Sequence, residues 1–255
     1  MIQLKSPREL DVMAEGGRIL GDTLVVVRER VKAGMTTAQL DAIAESFIRS
    51  HDGATPAFKG LYGFPSTLCT SINEEIVHGI PSRRRVLEEG DLLSIDVGVK
   101  FGGLFTDAAT TVPVGEVDDV SRKLLDVTER ALEVGIAEAR AGNHVGDIGA
   151  AVQGVVEAAG FSVVRDLVGH GVGYKPHEDE PQIPNYGKPR RGTKLAAGLT
   201  IAIEPMVNVG GPRMRTLPDR WTIVTADGSR SAHFEHTVAV TENGPRVLTR
   251  PNGHS

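Results

Sequence analysis

The sequence predicts an α+β fold: two similar helix–helix–strand lobes around a central antiparallel sheet, with helices covering one face. Three observations predict it. Helical and strand-like patterns run in the order helix, helix, strands, and that order occurs twice. Ala33-Gly34 recurs as Ala141-Gly142, and at the same offset Leu40, Ala44, Phe47 and Ile48 fall on Ile148, Val152, Val155 and Val156. No linker rich in Pro, Gly or Ser separates the halves. Residues 1–255 are therefore expected to fold as one unit, with lobes at roughly 1–112 and 113–250.

The elements follow in order. Ser6-Pro7 with Glu9 combines an N-cap, a first-turn proline and the acid of a capping box. The helix they open is expected to run to about Val31 and end near Gly34. Thr36 or Thr37 caps a second helix, with Leu40, Ile43, Ala44, Phe47 and Ile48 at helical spacing. From Ala54 to Pro81 the pattern is irregular and strand-like, and strands are expected at 92–99 and 104–112. The second half brings a helix at about 119–140, one after Gly142, and strands at 161–168, 200–207, 221–225 and 233–240.

Composition narrows the function. A 255-residue chain with 40% hydrophobic residues can bury a sizeable core, and a net charge of −5 is too small to favour disorder. A mildly acidic chain also argues against a main role in wrapping nucleic acid. With 4% aromatic residues the core must be mostly aliphatic. A single cysteine, Cys69, excludes an intrachain disulfide and fits a reducing compartment. The opening MIQLKSPREL lacks a signal-peptide layout, and no apolar run approaches the ~18 residues of a membrane span. A cytoplasmic protein, with no membrane and no disulfide partner, is expected.

The chemistry starts with two acids. Ser94-Ile95-Asp96-Val97-Gly98 and Phe105-Thr106-Asp107-Ala108 flank a turn at Phe101-Gly102-Gly103. A two-residue loop puts Asp96 and Asp107 on one face, directly opposed across Phe101-Gly102 or diagonal across Gly102-Gly103. A three-residue loop puts them on opposite faces. Facing like charges destabilise a sheet, so a cation or a retained proton is called for. Glu204 ends the apolar run Thr200–Ile203, Glu235 lies in the strand after His233, and His170 stands between glycines after an apolar strand. Carboxylates with a single imidazole suit two hard or borderline divalent ions, which can hold a bridging hydroxide and polarise a carbonyl. A dinuclear metallohydrolase is the reading these residues support.

Other motifs fail. Gly169-His-Gly-Val-Gly173 is followed by Tyr174, so it is not a dinucleotide fingerprint. Gly187 to Lys194 has P-loop spacing, but Gly-Thr-Lys replaces Gly-Lys-Ser/Thr and Pro189 removes an N–H. There is no H-E-x-x-H and no serine nucleophile elbow.

Taken together, the segments Ser71-Ile-Asn-Glu-Glu-Ile-Val-His78-Gly-Ile-Pro81, Ser94–Gly98, Phe105-Thr-Asp107, Gly169–Gly173, His177-Glu-Asp, Thr200–Pro205 and His233-Phe-Glu235-His236-Thr237 resemble the type I methionine aminopeptidases over essentially the whole chain. The resemblance implies the pita-bread fold and removal of the N-terminal methionine from nascent proteins, preferentially when the second residue is small. It implies two divalent ions (Co, Mn, Fe or Zn) held by Asp96, Asp107, His170, Glu204 and Glu235, with Asp107 and Glu235 bridging. A hydroxide between the ions would attack the scissile carbonyl, and Glu204 would shuttle its proton. His177 corresponds to the histidine at the scissile amide, and His78 to the one near the amide of the second residue. Phe58, Leu61, Phe64, Cys69 and Trp221 would line the methionine pocket, Cys69 as a small apolar wall. The chain departs from commoner forms in having Pro176, within Tyr174-Lys175-Pro176, where an aromatic usually precedes the second histidine.

Only 33 residues separate His170 from Glu204, which leaves no room for the type II helical insertion. The N-terminal extensions of some type I forms are also expected to be absent, and one cysteine cannot build a Cys-based zinc finger. Two other functions compete: a proline-directed peptidase of the same fold, usually with an added N-terminal domain, and a non-catalytic binder that has lost ligands. Arg213, Arg215 and Arg220, in and beside the loop Gly210 to Asp219, offer a transient contact with ribosomal RNA. Nascent polypeptide N-termini are the expected partners, and a monomer the expected state.

Overall fold

The capping box at Ser6 starts the first helix. Glu9 N–H donates to Ser6 Oγ, and Ser6 N–H donates to Glu9 Oε2 at 2.8 Å. This computed structural model describes residues 2–251. Helix α1 spans Pro7–Arg28 and α2 spans Thr37–Arg49, capped by Thr36. Strands β1 (Ala54–Pro56), β2 (Leu68–Ile72), β3 (Glu75–Val77), β4 (Leu92–Phe101) and β5 (Leu104–Pro113) complete the first half. Helices α3 (Asp119–Glu138) and α4 (Val145–Ala158) open the second. Then come β6 (Ser162–Val163), β7 (Val168–Gly171), β8 (Glu178–Pro184), β9 (Thr200–Ile203), β10 (Met206–Asn208), β11 (Met214–Thr216), β12 (Ile223–Thr225), β13 (Ser231–His233), β14 (Glu235–Thr241) and β15 (Gly244–Val247).

The internal repeat extends to individual hydrogen bonds. Thr36 and His144, at equivalent positions of the two halves, are the N-caps of α2 and α4, and each makes an isolated bridge, to Val86 and to Lys194. Gly34 N–H donates to the Leu87 carbonyl, and Gly142 N–H to that of Leu195. Leu87 N–H donates back to Met35, and Leu195 N–H to Asn143. Leu40, Ala44 and Ile48 are buried, as are Ile148, Val152 and Val156, so the same helical stripe faces the core in both halves. Each half has its own aliphatic cluster, α1 and α2 against β4 and β5, α3 and α4 against β9 and β14.

One antiparallel sheet joins them in the order β1-β4-β5-β14-β9-β7-β8, with β2 also on β4 and β15 on β14. The seam between the halves is the β5–β14 pair. Gly102-Gly103 forms the two-residue loop of the β4–β5 hairpin, since Phe101 faces Leu104, Gly98 faces Asp107 and Asp96 faces Ala109. Asp96 and Asp107 are thus diagonal on one face. Ala109 also faces Glu235, and the β9–β14 register carries on from His236–Ile203 to set Glu204 beside Glu235. A row across β4, β5, β14 and the residue just past β9 therefore reads Asp96, Ala109, Glu235, Glu204, with Asp107 two residues along from Ala109.

Several boundaries differ from expectation. Helix α1 stops at Arg28, because Arg30 and Val31 N–H groups bond only three residues back and tighten the chain into a turn. The run expected at 161–168 yields only β6, with β7 starting at Val168. The strand expected at 200–207 breaks at Glu204-Pro205, where proline has no N–H for the ladder, and β10 continues in a different sheet. The strand expected at 221–225 begins at Ile223, and the one at 233–240 is split at Phe234. Arg213 to Arg220 is not a plain loop: Met214–Thr216 pairs with β12. Strand β8 had no apolar alternation to betray it; its acids and Pro181 suit the sheet edge it occupies.

The face opposite the acids lies under the helices. There Val97, Ala108, His236 and Ile203 form a second row, and His236 Nδ1 is 2.8 Å from Thr249 Oγ1. Burial, helped by Arg250, lowers the His236 pKa to about 4. The unfolded chain takes up that proton near pH 6.5 while the native state resists it until about pH 4. This group therefore removes stability as pH falls through that window, by up to about 3 kcal/mol. Urea unfolding of His236→Gln at pH 7 and pH 5 is expected to show a smaller acid-induced loss than the parent.

Candidate active site

The acids meet at the floor of a cavity of about 350 Å³ lined by His78, His170, His177, Trp221 and His233 among others. Asp96, Asp107 and Glu235 are buried, and each offers an oxygen within 4.8 Å of the others'. His170, Glu204 and Glu235 form a second such group, and Asp107, His170 and His177 a third. His170 Nδ1 lies 2.9 Å from the Gly171 carbonyl; a carbonyl only accepts, so Nδ1 is the protonated nitrogen. Nε2 is left facing Glu204 Oε1 at 3.6 Å and Asp107 Oδ2 at 3.9 Å.

The floor is rigid. Thr237 Oγ1 donates to the Asp107 carbonyl and accepts from Asp107 N–H, while Thr111 Oγ1 does the same with the backbone of His233. These four bonds lock β5 to its neighbours on either side of the acids.

Electrostatics make the cluster costly as it stands. Burial raises the Asp96 pKa to about 6. Burial, then the Asp96 charge, raises Asp107 well above the carboxylate range; burial, then Asp107, does the same to Glu235. Glu204 differs: burial pushes it up, but the imidazoles of His233 and His170 outweigh that and leave it below its ordinary value. One oxygen each on Asp96, Asp107 and Glu235 is buried without a hydrogen-bond donor. Orphaned carboxylate oxygens beside an imidazole nitrogen are a donor set that divalent cations satisfy, so these side chains fit a metal centre.

All five residues expected as the apolar pocket come together. Phe58, Phe64 and Cys69 form one buried cluster with Leu61 and Trp221 packed on it, and Phe64 meets Trp221 edge-on at 5.1 Å. Burial, then the Asp96 charge, drives the Cys69 thiol up, so it is a neutral wall. His78 sits at φ 61°, an uncommon conformation outside glycine, at the end of β3. Burial, then His170, lowers the His177 pKa to about 4, and burial lowers His78 too. Both are neutral imidazoles at pH 7.

The sequence reading missed His233. It is buried, neither ring nitrogen has a hydrogen-bond partner, and Nε2 lies 3.6 Å from Glu204 Oε2 and 3.8 Å from Glu235 Oε2. The available signal was its spacing, two residues before Glu235 on the same side of the chain. It also missed Ala109, whose small side chain leaves the space between Asp96 and Glu235.

An α+β sandwich of this topology with buried acids and an imidazole at its centre defines a metal-dependent hydrolase of the pita-bread class. The family model of metallopeptidase family M24 matches residues 11–242. The chain is 53% identical over 249 residues to the methionine aminopeptidase of Clostridium perfringens, a match that covers 98% of this chain and 99% of that one. It superposes with a TM-score of 0.96 on the methionine aminopeptidase of Thermotoga maritima, at 44% identity over 98% of this chain and 100% of that one. A prolidase from Pyrococcus furiosus, 22% identical with a TM-score of 0.77, shares the fold alone, and this chain spans 65% of its length. The chain belongs to metallopeptidase family M24, in its type I methionine aminopeptidase branch.

The crowding of acids makes a stability prediction. In metal-free protein the native carboxyls bind protons more tightly than the unfolded chain. Their contribution is therefore present at low pH and lost as pH rises from about 4 through 6 and above. Asp96→Asn with Asp107→Asn removes the repulsion. At pH 7.5 this double variant is expected to melt several degrees above the chelated parent; a lower Tm would mean the acids are held by the fold rather than repelling.

Proposed function

We propose that this chain removes N-terminal methionine from nascent polypeptides, preferring a small second residue, with two divalent ions held by Asp96, Asp107, His170, Glu204 and Glu235. The observation that carries this is the row of buried, donor-less carboxylates directly beneath an aliphatic and aromatic pocket. Asp107 and Glu235 each belong to two of the three candidate ligand groups and would be shared, with Asp96 on one side and His170 with Glu204 on the other. Co, Mn, Fe and Zn all suit this donor set. Bound there, the ions supply Lewis acidity toward the scissile carbonyl and lower the pKa of a water.

The protein's own groups do the rest. Phe58, Leu61, Phe64, Cys69 and Trp221 take the methionine side chain out of water. Glu204, kept ionised by its histidine neighbours, accepts a proton at a carboxylate oxygen and returns it to the leaving amine. Neutral His177 donates a ring N–H toward the scissile carbonyl as charge develops there, and His78 contacts the amide of the second residue.

The setting proposed is the cytoplasm, as a monomer. Among the described residues no helix is long and apolar enough to cross a membrane. Arg213, Arg215 and Arg220 are exposed, and a transient contact with ribosomal RNA is proposed for them. Salt should weaken co-sedimentation with ribosomes, and changing the three arginines to Ala should abolish it.

Metal-reconstituted protein is expected to release methionine from Met-Ala-x, far less from Met-Lys-x, and to leave Ala-Pro-x intact. Preferential cleavage of Ala-Pro-x would support a proline-directed peptidase instead. His177→Ala should lower kcat by about 10²–10³, the scale of a lost oxyanion donor, with metal content unchanged. Loss of metal in this variant would make His177 a ligand, an assignment its distance to Asp107 and His170 permits.

A further inference from the structure

His177 has no anchor of its own. Among the described residues its Nδ1 is buried without a hydrogen-bond partner, and its ring packs 4.3 Å from His170 and 6.4 Å from Tyr62. The residue after it is anchored strongly. Lys5 Nζ donates to both oxygens of Glu178, at 2.6 and 2.7 Å, and the Lys5 side chain is wholly buried. Glu178 Oε1 also accepts from Tyr174 N–H at 2.9 Å, so this carboxylate gathers both ends of the loop that carries His177.

The segment ahead of α1 is itself fastened. Lys5 N–H donates to the Gly198 carbonyl at 2.7 Å, and Lys5 Nζ donates to the Gln3 carbonyl and lies 5.0 Å over the Tyr174 ring. Tyr174 Oη donates to Glu9 Oε1, the acid of the α1 capping box. The fit leaves no slack: a Cβ at Gly173 would collide with Lys5 Cε. The Gly173 carbonyl accepts from Phe105 N–H in β5, two residues from Asp107, so the strap reaches the floor of the site.

A buried ion pair is a poor means to stability, because desolvating both partners offsets most of their attraction. Burial lowers the Lys5 pKa even against the pull of Glu178. What such a pair does well is fix geometry. We propose that Lys5 and Glu178 are positioning residues for His177, and that the N-terminal segment before α1 is thereby a working part of the active site. The proposal rests on His177 being the donor to the scissile carbonyl. Misplacing such a donor by about 1 Å is enough to cost up to about 10²-fold in rate.

The test is a double-mutant cycle on a Met-Ala-x peptide with the metal-reconstituted enzyme. Lys5→Met is expected to lower kcat about 10- to 100-fold, with KM changed less than about twofold and metal content unaltered. Lys5→Arg, which keeps a cation for Glu178, should recover most of the loss. In a His177→Ala background Lys5→Met should cost nothing further, because the group it positions is gone. If Lys5→Met does not give folded protein, Glu178→Gln breaks the ion pair with little change of shape and should show the same coupling. Losses that multiply in the double variant, or a kcat untouched by either substitution, would overturn the proposal alone. A wild type that releases methionine and is unaffected by His177→Ala would overturn the assignment of His177 and the proposal with it.

Discussion

Four carboxylates converge on one face of one sheet, and that crowding is the constraint on which the rest of the structure depends. Asp96, Asp107 and Glu235 each carry a buried oxygen with no donor. A fold built for stability alone would not leave them so, since an unsatisfied buried charge costs several kcal/mol. The surroundings are arranged to hold the acids in place rather than to neutralise them. Thr111 and Thr237 stitch the backbone beneath them, and Ala109 keeps a space among their side chains open. The missing positive charge is one that divalent metal ions would supply.

The internal duplication explains how such a site is assembled. The second and third residues of each Ala-Gly-x-x turn make the same hydrogen bonds in both halves, and β4 and β9 begin at equivalent positions, Leu92 and Thr200. Asp96 and Glu204 are separated by that same offset. Equivalent positions of the two lobes thus flank the seam, while β5 and β14 bring Asp107 and Glu235 into its centre. Each lobe keeps its own aliphatic core, so the acids lie between two packed units instead of inside either.

Around this floor several groups that line the cavity are uncharged. His78 and His177 are kept neutral by burial, and the Cys69 thiol is kept protonated. Charge is confined to the acids, and the cavity above them is largely apolar. The buried Lys5–Glu178 pair is the exception, and it lies behind the His177 loop.

Much of this was legible in the sequence because it is local or periodic. The capping box at Ser6, the helical stripe that recurs in each half, the glycine turn between β4 and β5, and acids in apolar strands all announce themselves within a few residues. The family resemblance supplied the residues that the pattern left unassigned. What the sequence could not decide depended on register and on distant partners. The choice of Gly102-Gly103 over Phe101-Gly102 as the loop placed Asp96 and Asp107 diagonally, and one residue more would have separated them. Strand β8 opens on Glu178-Asp179-Glu180, polar residues that suit a sheet edge and leave no apolar pattern to mark it. His233 enters the site only because β13 and β14 meet at Phe234, and Lys5 finds Glu178 across 173 residues of chain. Local pattern singled out the acids Asp96, Asp107, Glu204 and Glu235 and the imidazole of His170; only the tertiary structure decided which of them touch, because a side chain's partners are set by how strands line up across the sheet.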